Sequence, residues 1–111
     1  MLFIVYSLDD PATGKEIRKR TRAAHLRYVA KNRELFQYGG SLIGEAGEMI
    51  GTVQILEVES RQVLDRFLSR DPYNQNKLFT NVTITETRKS LPESRPGELD
   101  EEMAKTEAQA Q

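Results

Sequence analysis

The sequence has no cysteine and no tryptophan, and a single histidine, His25, among its 111 residues. Without thiols there can be no disulfide, no thiolate nucleophile and no Cys-ligated zinc or iron–sulfur site, and one histidine cannot build a His cluster within a protomer. An excess of one charge is also missing. Sixteen basic and 17 acidic side chains leave a formal net charge of −1, so the molecule as a whole has no strong field to draw nucleic acid or an anionic membrane. Nor is there a long hydrophobic run: the opening LFIVYS lacks a basic leader and gives way to Asp9-Asp10-Pro11, which suits neither a signal peptide nor a bilayer span. The expectation is a soluble, cytoplasmic, single-domain protein with neither nucleic acid nor membrane as partner.

What is present is patterned. Leu2 to Ser7 is an apolar, sheet-favouring segment stopped by the Asp-Asp-Pro turn, and it reads as a buried first strand. From about Lys15 to Asn32 there is no proline or glycine, and Arg, Lys, Ala, Glu and Leu dominate, residues that lose little on entering a helix. At about 100° per residue from Ile17, Tyr28 falls near 20°, Thr21 near 40°, His25 near 80° and Val29 near 120°. His25 therefore shares the apolar arc, and Arg18 and Arg22 lie close enough to its edge to share a pocket with it. Leu35 to Tyr38 predicts a short strand ending at Gly39-Gly40, a loop follows around Gly44 and Gly47, and Met49 to Val58 predicts a half-buried strand that alternates imperfectly.

Ser60 is a plausible cap for a second helix with Val63, Leu64, Phe67 and Leu68 at helical spacing. Asp71-Pro72 ends it and can start a short helical turn, with Asp71 as cap and Pro72 at the first position. Leu78 to Thr87 reads as the last strand. Strand, helix, strand, strand, helix, strand is the ferredoxin-like βαββαβ order: an α+β fold with a four-stranded antiparallel sheet and two helices on one face. The other face needs a cover, and burying it gains about 25 cal/mol per Å², so a homodimer is expected. Residues 1–91 form the domain in this reading. Residues 92–111 form an acidic tail, either solvated or a helix docking a narrow stripe of Leu99, Met103 and Thr106 on its own or a partner protomer.

An imidazole can take and give a proton near neutrality, and a carboxylate beside it fixes the tautomer and steadies the charged form. The plainer role for His25 is a helix histidine satisfied by a carbonyl. The other candidates have plain roles too. Asp71 can be a helix cap, Tyr73 a packed aromatic with its hydroxyl satisfied, Thr52 a strand former, and Arg22 half of an ion pair. From the residues alone both readings stand, and so do an enzyme and a non-catalytic dimeric binding or accessory module.

The segment Arg22-Ala-Ala-His25-Leu26, the Gly51-Thr52-Val53 strand start, and Asp71-Pro72-Tyr73 with Leu78-Phe79 at their spacing resemble the YciI-like (YCII-related) family over about residues 1–91. The resemblance implies a dimeric α+β barrel in which His25 and Asp71 are the active pair and Thr52 is the polar residue near the third strand. It suggests proton abstraction coupled to loss of a leaving group, and the leading reading is a small, cofactor-independent enzyme doing acid–base chemistry of the elimination or isomerisation type on a small anionic or aromatic molecule. Arg22, Thr52 and Tyr73 would hold that substrate, and no metal is implied. This chain departs from the family's pattern in having threonine for serine at 52, and Asn76-Lys77 where the family favours Ala-Gly.

Overall fold

The computed structural model describes residues 1–110. Its elements are β1 (Leu2–Asp9), α1 (Gly14–Lys31), a 3₁₀ turn (Arg33–Leu35), β2 (Phe36–Ile43), β3 (Met49–Glu57), α2 (Arg61–Ser69), α3 (Pro72–Gln75), β4 (Phe79–Thr87) and α4 (Glu98–Ala110). All strand pairs are antiparallel, in the order β2-β3-β1-β4. This is the ferredoxin-like arrangement that the element order predicted.

Alternation along β1 and β3 decides what the sheet buries. Phe3 and Val5 pair across the ladder with Leu56 and Gln54 on the helix-facing side. With Val58 and with Leu64, Phe67 and Leu68 of α2, the apolar members of this set form the main core. A second cluster, Ile17, Tyr73 and Leu78, seats α1 and α3 against the start of β4. Gly51 is required by close approach, because a Cβ there would lie 2.2 Å from the Ser7 carbonyl oxygen across the β1–β3 ladder. Only a residue without a side chain lets these strands pair at that point.

Local sequence signals explain the helix ends. The Ser60 hydroxyl accepts from Val63 N at 3.2 Å, and the Asp71 carboxylate accepts from Tyr73 N at 2.9 Å, each satisfying an amide that a helix start leaves without an intrahelical partner. α3 ends in a Schellman motif, with Lys77 N bonding Asn74 O and Leu78 N bonding Tyr73 O. The residue in the left-handed conformation is Lys77, at φ 57°.

One strand is longer than its sequence suggests. β2 continues through Gly39 and Gly40 to Ile43, with Gly39 opposite Gln54 and Gly40 opposite Val53. Glycine weakens a strand through entropy but forms the ladder as well as any residue, and β3 supplies the partners. The 98–110 segment is a helix whose Leu99 and Met103 remain 42% and 48% exposed, so the stripe does not dock on its own protomer. With α4 standing off the sheet, the radius of gyration is 17.5 Å, against about 13 Å for a compact chain of 100 residues. Among the described residues no helix is long and apolar enough to cross a membrane.

Candidate functional site

Between α1 and the β2–β3 half of the sheet lies a cleft of about 380 Å³. α1 contributes Arg18, Arg22, His25, Leu26 and Val29 to it, the sheet contributes Thr52 and Gln54 as floor, and Tyr73 of α3 closes one side.

His25 and Asp71 come from segments 46 residues apart, and the His25 Nδ1 to Asp71 Oδ1 distance is 2.8 Å. Their side chains are 13% and 3% exposed. Because a carboxylate only accepts, Nδ1 carries the hydrogen, and in the neutral ring Nε2 is left with its lone pair. The same Asp71 oxygen accepts from Tyr73 N, so the helix cap and the histidine anchor are one carboxylate. The imidazole also stacks on the Tyr73 ring, with centroids 3.9 Å apart and planes 12° apart. Two independent contacts thus fix its orientation.

Thr52 and Arg18 form a second unit. Arg18 donates from Nε to Asp9 Oδ2 at 2.6 Å and from Nη2 to Asp9 Oδ1 at 3.0 Å, and its Nη2 also reaches Thr52 Oγ1 at 2.8 Å. The side chains of Arg18 and Asp9 are 12% and 8% exposed, so this is a largely desolvated, two-point ion pair. Its guanidinium lies 5.2 Å from the Tyr73 ring centroid, within cation–π range. Thr52 therefore accepts from Arg18 and retains one O–H to donate into the cleft. Arg22 is exposed at the rim. Tyr73 is 1% exposed, and its hydroxyl has no hydrogen-bond partner among the described residues, which corrects the expectation that it would be satisfied. Nearby, Tyr28 donates to Phe67 O at 2.6 Å, and burial, helped by the Asp71 charge, raises its phenol above the ordinary value.

The Asp9–Arg18 clamp and Gln54 were not singled out by sequence reasoning. Asp9 reads locally as a strand stop. Gln54 had a signal: it sits on the Thr52–Leu56 face of β3, where a polar residue interrupts an otherwise inward-facing alternation. Among the described residues no three His, Asp or Glu side chains converge to hold a metal ion.

Comparison with known proteins bears on this geometry. The model of the YCII-related domain matches residues 1–88. Among solved structures, 5-chloro-2-hydroxyhydroquinone dehydrochlorinase (TftG) from Burkholderia phenoliruptrix AC1100, in complex with 2,5-dihydroxybenzoquinone, is similar. It is 27% identical, with a TM-score of 0.76, over 85% of this chain and 100% of that one. Rv0793 from Mycobacterium tuberculosis is a looser match, 18% identical with a TM-score of 0.44 over 85% of this chain and 97% of that one. No curated protein matches the chain. With four-fifths of its length matched by the family model, the chain belongs to the YCII-related domain family.

Proposed function

We propose that the protein is a small-molecule enzyme that uses His25 as general acid and base, with Asp71 anchoring and charging it, on a small anionic or aromatic substrate. The observation that carries this reading is the His25–Asp71 contact at the edge of a cleft. A base held on its far nitrogen by a buried carboxylate presents its near nitrogen in one tautomer. Arg22 at the rim attracts and orients an anion, and the Thr52 hydroxyl, with Arg18 behind it, offers a fixed donor.

Elimination of hydrogen halide from a hydroxylated ring, the activity named for the dehydrochlorinase, fits this equipment. A proton moves from a ring hydroxyl to the halogen-bearing carbon through the imidazole. Removal of a second hydroxyl proton then expels halide, so the net loss is one hydrogen halide and no outside oxidant is consumed. Neighbouring cationic and hydroxyl groups stabilise the phenolate formed on the way.

The working unit in this proposal is a homodimer. Ile4 and Tyr6 of β1, Tyr38 of β2, and Val53 and Ile55 of β3 lie on the sheet face away from the helices, with Tyr6 43% and Tyr38 53% exposed. A contiguous apolar face of this kind is rarely left in water. Sedimentation of the wild type and of a Tyr6→Arg variant tests it, the expected result being a dimer converted to a monomer.

The catalytic reading is tested by halide release from chlorinated hydroxyhydroquinones, together with solvent-deuterium exchange into hydroquinone rings. The reading expects turnover by the wild type, and a loss of about 10²-fold or more in H25Q with little change in Tm. Binding without turnover or exchange would instead favour a non-catalytic binding module.

A further inference from the structure

Gln54 stands on the helix-facing side of β3, opposite Val5 of β1 and Gly39 of β2. It is 6% exposed and lines the cleft. The hydrogen bonds that knit the cleft wall run among Arg18, Asp9, Thr52, His25, Asp71 and Tyr73, and they leave the Gln54 carboxamide out. Among the described residues nothing else pairs with it. Tyr73 Oη is the one buried side-chain atom left without a partner among the described residues, so the unpaired carboxamide atoms of Gln54 open onto the water of the cleft, where its two N–H groups and two lone pairs can be taken up by a ligand oxygen. The space for such a ligand exists on the same face. Gly39 brings no side chain, and a Cβ there would meet only the Phe36 ring, at 3.3 Å.

Charge is distributed in the opposite sense. Arg22 and Arg33 are exposed and line the cleft, whereas the inner guanidinium, Arg18, is already matched by Asp9. The rim therefore offers unmatched positive charge and the floor offers a neutral donor and acceptor. Because a charge is far costlier to bury than a hydroxyl or carbonyl, a ligand carrying both enters with its anionic group outward.

We propose that Gln54 is a specificity-determining residue that reads a neutral hydroxyl or carbonyl oxygen on a single-ring anion whose charge rests at the Arg22–Arg33 rim. The inference rests on the reading of the cleft as a small-molecule site and adds what that site selects. A volume of about 380 Å³ lies at the small end of ligand pockets and suits one substituted ring.

Calorimetric titration of the full chain with benzoate and with the three monohydroxybenzoates tests this. The wild type is expected to bind at least one hydroxybenzoate about tenfold more tightly than benzoate, the worth of one buried hydrogen bond. Q54L is expected to bring that ratio close to one. Q54M, which keeps the length and flexibility of the side chain, is expected to do the same and guards against a folding defect in Q54L. Equal binding of benzoate and every hydroxybenzoate by the wild type, a ratio that survives both substitutions, or no binding of any probe overturns the inference. Calorimetry reads binding alone. Absence of any Gln54-dependent preference in the wild type with His25-dependent turnover intact defeats only this inference, and the reverse result defeats only the catalytic one.

Discussion

The His25 imidazole lies flat on the Tyr73 phenol ring, with 3.9 Å between centroids, while the Tyr73 hydroxyl, buried beyond it, has no partner among the described residues. The ring orients the histidine and the hydroxyl contributes nothing to that. Y73F removes an unsatisfied buried polar group and keeps the stack, so it is expected to stabilise the protein by about 1 kcal/mol without loss of the activity proposed for His25. Thermal melts and a turnover assay on the same preparation check both halves.

Arg18 neutralises Asp9 in a site where neither side chain is more than 12% exposed. R18A strands a buried carboxylate and is expected to cost about 3–5 kcal/mol. R18K restores the charge but not the planar fork that meets both Asp9 oxygens, and is expected to recover only part of that loss. Denaturant unfolding of the three proteins measures it.

Much of this was legible in the chain. The apolar spacing of Ile17, Thr21, Tyr28 and Val29 placed His25 toward the body of the protein, Ser60 and Asp71-Pro72 marked helix starts, and the element order led to the sheet. These signals are local, so periodicity and capping carry them. The full length of β2 was not legible, since Gly39 and Gly40 are paired by β3 against their own propensity. The Asp9–Arg18–Thr52 link joins three elements, and no spacing rule within one element reaches that far. The partnership of His25 with Asp71 came by family resemblance, not from periodicity.

Lys77 marks a local departure that carries a cost. It occupies the left-handed position of the Schellman motif, φ 57°, where a side chain is disfavoured by about 1–2 kcal/mol. K77G relieves this strain and gives back part of the gain to the greater freedom of the unfolded chain. The net expectation is stabilisation by about 0.5–1 kcal/mol, read as a rise in Tm.

Tyr28 gives an alkaline signature. Its pKa in the folded protein lies above the ordinary value, through burial and the nearby Asp71 charge, so the folded state favours the neutral phenol. The stability this confers is complete below about pH 10, the unfolded value, and is lost as pH rises through the folded one. Stability measured from pH 8 to 11 is expected to fall more steeply in the wild type than in Y28F, which has no proton to lose there.

The most direct test uses the fact that His25 is the only histidine in the sequence. With ¹⁵N-histidine labelling, ring-nitrogen shifts report this residue alone, above the pH at which its own titration shows the ring to be neutral. The account predicts a protonated Nδ1 and a bare Nε2 in the wild type, with that preference reduced or lost in D71N. A ring that carries its proton on Nε2, or a tautomer unchanged by D71N, would contradict it.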